Sequence, residues 1–396
     1  MAQHYRLSRT HYDLLQVEKP YLVEAARADA EALAHDYKSV LSLTELDTKL
    51  DFVVESAVEQ SIEQIAQSSG KPVSVLKGEA TTNPTAIQHL TMVRGYTSLE
   101  YQCLLNFEMS GAKVFYLAEN LVDQLSETEL KVPSESLEMP FPSCLFVLPS
   151  GKGMELLLNM ASKTDQVLAP TDLPINVYVT LGDSSEFPES RVLVVVAYVL
   201  DAQTGERIAV FKRDLLLSPG RSIEHALNTD WNAERLKRNQ QPISGLSLSI
   251  GDTQTEVDDN DTRFYTDGLQ FYRLIINTLL YLMSDSAERR NMRSTQDDLL
   301  DAAQVEKKSS RKKQKEKYAR KFSPRSYILL GETVGVIEDR RTEGQKAVTK
   351  ERFVVRGHFK EQPYGKGRKL RKTIWIQPYF KGPEMGELVN KPYVVR

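Results

Sequence analysis

The chain has 396 residues, 41% hydrophobic and 27% charged, an ordinary balance for a folded soluble protein and too long for one ordinary core. Its two cysteines, Cys103 and Cys144, exclude a disulfide framework or a zinc site and fit a reducing compartment. The net charge of −3 conceals a division: residues 1–306 hold 26 Lys and Arg against 45 Asp and Glu, while residues 307–396 hold 25 against 9. A segment of net +16 on a body of net −19 points to an acidic partner for the segment, or to its docking on its own body.

In chain order, residues 20–70 read as two helices. Leu22, Ala25, Ala26, Ala30 and Leu33 recur at helical spacing after Pro20, which suits a first turn. Thr44 and Asp47 suit the start of a second helix, with Leu46, Leu50, Val53, Val54 and Ala57 as its apolar stripe and Ser68-Ser69-Gly70 as its end. Residues 83–110 read as helix up to Ser110-Gly111. The pattern then turns to strands: Lys113–Leu117, followed by an amphipathic segment through Leu125, then Cys144–Leu148 and Asn176–Thr180. Arg191–Leu200 is almost wholly β-branched or apolar, as a strand covered on both faces must be. Asp201–Gly205 reads as a turn and Arg207–Leu217 as the hairpin partner. Ser222–Arg238 and Thr262–Met283 read as helices flanking a polar, acidic loop, Gly251–Asp261.

These elements predict an α+β fold: N-terminal helices, a central mostly antiparallel sheet with packed helices, and a small basic C-terminal β-rich module. The expected organisation is an acidic body over residues 1–284, a charged linker or solvated helix over 285–325, and the basic module over 326–396. Nine cations between Lys307 and Lys321, with few apolar residues among them, leave that stretch unable to bury a core face. The longest apolar run, Leu274–Met283, is interrupted by Asn277 and Thr278 and is too short to span a bilayer. With no apolar leader after Met1, the expected location is cytoplasmic, with no membrane partner.

In the C-terminal module, Ser326–Leu330, Arg352–His358 and Thr373–Phe380 read as strands. If the apolar faces pack inward together, Arg356, His358, Trp375 and Tyr379 share an outward face able to stack a base or hold a cation over a ring. The connection carries Gly365 and Gly367 with five cations, Lys366, Arg368, Lys369, Arg371 and Lys372. Glycine permits close backbone approach and the cations attract phosphate. These nine residues are the candidate nucleic-acid-binding set. An acidic protein partner and a merely solvated strand edge are the competing readings.

Catalytic signals are weak. His4, His11, His35, His89, His225 and His358 show no metal-ligand spacing. Gly151-Lys152-Gly153 lacks the Ser or Thr and the earlier glycine of a phosphate loop. Asp258, Asp259, Asp261 and Asp267 lack calcium-loop spacing, and no nucleophile elbow is present. The expectation is therefore a non-enzymatic binding protein with no metal and no cofactor.

Val354-Val355-Arg356-Gly357-His358-Phe359, the basic glycine-containing loop and Thr373-Ile374-Trp375-Ile376-Gln377-Pro378-Tyr379 together resemble the tail of a phage- and plasmid-borne family, that of the second type V-A anti-CRISPR protein. The likeness extends more loosely to Phe141–Leu148, Asn176–Leu217 and Leu274–Met283. It covers most of residues 85–396 and leaves the N-terminal helices unmatched. Phe359 stands where the family usually has Trp. The resemblance implies a protein that acts during synthesis of the type V-A effector nuclease, recognising its nascent N-terminal peptide and lowering its messenger RNA. The acidic body would then meet the peptide, and the basic tail the ribosome or mRNA, with Trp375 and Tyr379 stacking. The alternatives are an RNA-cleaving nuclease and a nucleic-acid-binding accessory protein of a plasmid or phage.

Overall fold

The computed structural model describes residues 10–33, 47–139, 141–153, 155–156, 174–184, 187–200, 207–229, 262–293, 326–335, 338–339 and 353–381. Five helices come first: α1 (His11–Glu18), α2 (Pro20–Leu33), α3 (Asp47–Ser69), α4 (Val73–Thr82) and α5 (Pro84–Met109). Local chemistry sets several of their ends. Thr10 and Asp13 form a capping box at α1, each side chain accepting from the other's backbone N–H at 3.1 Å. Asn83 caps α5 by accepting from Thr85 and Ala86, with Pro84 in the first turn, where its missing N–H costs nothing. Gly70, at φ +69°, follows the end of α3. Helices α1 and α4 were not legible from apolar periodicity. Thr44 and Leu46 lie outside the described residues.

The centre is a seven-stranded sheet built from β1 (Val114–Leu117), β3 (Ser143–Leu148), β4 (Ile175–Asp183), β5 (Arg191–Leu200), β6 (Arg207–Leu217), β7 (Arg289–Arg293) and β8 (Ser326–Leu330), in the order β6-β5-β4-β3-β1-β8-β7. The pairs β6–β5, β5–β4, β4–β3 and β8–β7 are antiparallel, and β1 pairs parallel with both β3 and β8. Helix α6 (Glu119–Ser126) and the short β2 (Thr128–Glu129) lie on the path from β1 to β3, since parallel neighbours need a crossover.

Alternation along the strands feeds two cores. Phe115, Phe146, Val177, Val195 and Ala197 pack with α6 and with α7 (Thr262–Met283). Val114, Leu145, Val147, Tyr178, Val196 and Tyr198 pack with α1, α2 and α5 on the opposite face. A continuous apolar strand such as β5 is thus explained by helices on both sides. A third, smaller core of Val58, Ile62, Leu76 and Leu90 joins α3, α4 and α5.

Two buried polar residues of α7 meet specific needs. Asn277, fully buried in α7, donates to the carbonyls of Leu125 and Thr128 at 3.0 and 2.9 Å, meeting acceptors left open where α6 ends. Thr278 returns its hydroxyl to the Leu274 carbonyl at 2.9 Å. The two residues that interrupt the apolar run are therefore core groups. Among the described residues, no helix is long and apolar enough to cross a membrane. On the opposite face, His11 stacks on Tyr198 with ring centroids 3.8 Å apart, and its backbone N–H donates to Asn176 Oδ1 at 3.0 Å. These contacts fasten α1 to the sheet.

Two expectations about organisation are corrected. Residues 289–293 are a strand of the main sheet rather than linker, and residues 326–330 belong to that sheet rather than to a separate module. Strand β8 satisfies the second edge of β1, whose backbone donors and acceptors would otherwise lie unpaired beside the core. Tyr327 and Leu330 fill opposite faces, as period two requires. The basic run Lys307–Lys321, the turn at Asp201–Gly205, the loop Gly251–Asp261 and the segment 230–238 lie outside the described residues. The helix expected from Ser222 is present over residues 223–229.

Candidate nucleic-acid interface

After β8 come β9 (Glu338–Asp339), β10 (Phe353–Val355), β11 (Gly357–Tyr364), β12 (Leu370–Ile376) and β13 (Tyr379–Lys381). They form two three-stranded sheets, β10-β13-β9 and β12-β11-β2. The chain leaves one sheet for the other twice, at Arg356 and at Gln377-Pro378. Proline has no N–H for a ladder, which suits the second break. Gly357 sits at the first: its N–H donates to the Glu127 carbonyl at 3.1 Å, and a Cβ there would meet Thr128 Oγ1 at 2.6 Å. No larger residue fits without moving Thr128.

Register determines the faces of the β11–β12 hairpin. Phe359 lies opposite Trp375, Glu361 opposite Thr373, and Pro363 opposite Arg371. His358 lies opposite Ile376, Lys360 opposite Ile374, Gln362 opposite Lys372, and Tyr364 opposite Leu370. The first set includes the side that packs on the α6–α7 core, where Trp375 is buried and Phe359 is half-buried against it. The Trp375 ring meets Tyr281 edge to face at 5.1 Å, and its Nε1–H donates to Thr128 Oγ1 at 3.2 Å.

The expected shared face of Arg356, His358, Trp375 and Tyr379 is therefore not formed. Trp375 points into the core with Phe359 and is closed to a stacking base. Arg356 stands exposed at the sheet switch, where its charge acts on Lys131 and Arg273. Burial lowers the pKa of Arg273, while Glu224, 2.7 Å away, works in the opposite direction. His358 is exposed on the outward face of β11. Tyr379 pairs with Val355 in the other small sheet. Alternation was read correctly, but its phase along Thr373–Phe380 was not.

The remaining candidates do gather. Lys366, Arg368, Lys369 and Arg371 are exposed around the hairpin tip, and Lys372 is half-buried beside it. Lys366–Arg368 make one 3-10 turn, entered by Gly365 at φ +78°. Arg368 itself has φ +53°, and Arg371 donates to its carbonyl at 3.1 Å. Left-handed backbone costs a non-glycine residue about 1–2 kcal/mol, while glycine costs about 0.4–1 kcal/mol through the unfolded chain. Arg368→Gly is thus expected to stabilise the protein by about 0.5–1 kcal/mol, measured as a higher urea midpoint at unchanged slope.

Sequence reading missed three residues here. Lys360 shares the outward face with His358, and Tyr364 and Leu370 are large apolar side chains left 43% and 54% exposed at the tip. Counting in twos from an inward Phe359 would have found Lys360 and Tyr364. The Lys372 ammonium lies 5.7 Å from the Tyr364 ring centroid and 3.2 Å from Asp285.

Of the weak catalytic motifs, Asp258, Asp259 and Asp261 lie outside the described residues, and His11 is a core residue stacked on Tyr198. Lys152 pairs with Glu155 at 3.2 Å. Burial pushes the Cys103 thiol up to about 12 and raises that of Cys144 as well, so both stay protonated at neutral pH. Among the described residues, no group of three His, Cys, Asp or Glu is placed to hold a metal ion.

Residues 115–380 match the AcrVA2-like profile, described as the Anti-CRISPR type V subtype A2 family. Comparison with curated proteins and with solved structures returned no match. The matched span runs from β1 to β13, taking in the main sheet, α6, α7 and both small sheets, and leaves α1–α5 outside. It covers more than half of the chain and contains the hairpin whose motif carried the original resemblance, so the chain belongs to the AcrVA2-like family of type V-A anti-CRISPR proteins.

Proposed function

We propose that this protein suppresses production of the type V-A CRISPR effector nuclease by recognising the effector's nascent N-terminal peptide during translation and lowering its messenger RNA. The acidic body meets the peptide. The basic hairpin meets RNA, on the messenger or the ribosome, in the cytoplasm where translation occurs. The observation that carries this reading is the concentration of Lys366, Arg368, Lys369, Arg371 and Lys372 at one tip, on a chain whose first 306 residues are strongly acidic. Phosphate attraction of this kind needs no sequence readout and suits a general hold on RNA, leaving target choice to the body.

A reporter fused to the effector's N-terminal codons tests it. Its messenger level should fall when this protein is expressed, and should recover when the leader is frameshifted so that the RNA is nearly unchanged but the peptide is lost. An unchanged messenger level with the intact leader would sink the proposal. Cleavage of naked RNA by the purified protein, with magnesium and not with chelator, would instead establish the nuclease alternative. Equal loss of reporters with unrelated leaders would favour a general nucleic-acid-binding accessory protein.

A further inference from the structure

Tyr364 and Leu370 face each other across the last register pair of the hairpin, in the middle of the cationic tip. A single exposed leucine is ordinary, and a solvated strand edge is commonly protected by charged side chains, lysine above all. An exposed aromatic–aliphatic pair ringed by cations is neither. Gly365 keeps the pair open: a Cβ there would come within 3.1 Å of Leu370 Cδ1. Lys372, held between the Tyr364 ring and Asp285, sets a positive charge over one face of that ring and leaves the other face to a ligand. Lys360 lies on the same face four register pairs further along, roughly 13 Å away at the ordinary rise of a strand. This face turns away from the core that holds Trp375.

We infer that the outward face of the β11–β12 hairpin is a binding platform for single-stranded RNA, on which Tyr364 stacks an unpaired base while Lys372 and Lys360 take the flanking phosphates. The inference rests on the reading of the tip as an RNA contact and assigns that contact its ligand class and its stacking residue. Duplex RNA hides its base faces, so the ring and Leu370 would gain nothing from it. An acidic protein would answer the lysines but offers the tyrosine a flat π surface only where an aromatic side chain stands beside its carboxylates. A single strand satisfies both, since every base has a π face and every nucleotide a phosphate.

The test uses the full chain and a short RNA carrying 2-aminopurine, with a duplex of the same sequence, an abasic strand and polyglutamate as competitors. The single strand should bind best, with fluorescence quenched by stacking. Tyr364→Ala should weaken its binding by about 5- to 150-fold at an unchanged salt slope, with no effect on the abasic strand, and Tyr364→Phe should bind as the parent does. Wild-type affinity in Tyr364→Ala, or equal affinity for duplex and single strand, overturns the platform. If reversal of the tip charges abolishes binding while Tyr364→Ala does not, RNA contact stands and stacking falls. If polyglutamate displaces RNA at equal charge, the RNA reading of the tip fails with it.

Discussion

Trp375→Ala should lower the unfolding free energy by about 3–5 kcal/mol, the usual cost of deleting a large aromatic from a packed core. The side chain is 5% exposed, lies edge to face on Tyr281 and donates to Thr128. Thr128 in turn donates to the Gln124 carbonyl at 2.9 Å and sits against Gly357, so the indole joins α6, α7 and the hairpin at one point. Its removal leaves a cavity and takes away a buried donor together. Trp375→Phe keeps most of the volume and should cost clearly less. Urea denaturation measures both. Because the ring faces inward, Trp375→Phe should leave RNA affinity intact. Neutrality of Trp375→Ala would mean that the hairpin is not anchored to the core as described.

Reversal of the tip charges, Lys366, Arg368, Lys369 and Arg371 to Glu, should act in the opposite way: little on stability, much on binding. All four residues are exposed, where substitutions usually move stability by no more than about 0.5 kcal/mol. Each cation that neutralises a phosphate of a single strand contributes about 0.7 to the slope of log affinity against log salt. Loss of four should reduce that slope by about 3 and abolish ribosome or RNA co-sedimentation at physiological salt. A preserved slope would remove the tip from the mechanism. Together the two variants separate what holds the hairpin in place from what the hairpin holds.

The contrast between Trp375 and Tyr364 also marks how far the sequence was legible. Both are aromatic residues in a basic, strand-forming stretch, and composition does not distinguish them. Pairing does. Period two divides β12 into Ile374 and Ile376 on one side and Trp375 on the other, but leaves the inward side undecided, and a slip of one residue exchanges the two faces. The choice was made by Tyr281, Thr128 and Phe359, which come from three other elements and receive the indole. A pair of isoleucines was the stronger local signal, yet one tryptophan with a hydrogen-bond partner at its buried tip outweighed them.

By itself the sequence determined the division into acidic body and basic tail, the long helices α2, α3, α5 and α7, the doubly covered β5 and the concentration of cations at one hairpin tip. These are local properties: helical period, apolar runs, glycines at a turn and like charges close in sequence. Only the tertiary structure decided that β7 and β8 complete the main sheet, that the chain changes sheets at Arg356 and Pro378, and that Trp375 turns in while Tyr364 stays out. Those outcomes depend on backbone groups and cavities contributed by residues up to 247 positions away, as from Thr128 to Trp375, and no local pattern encodes a partner at that distance.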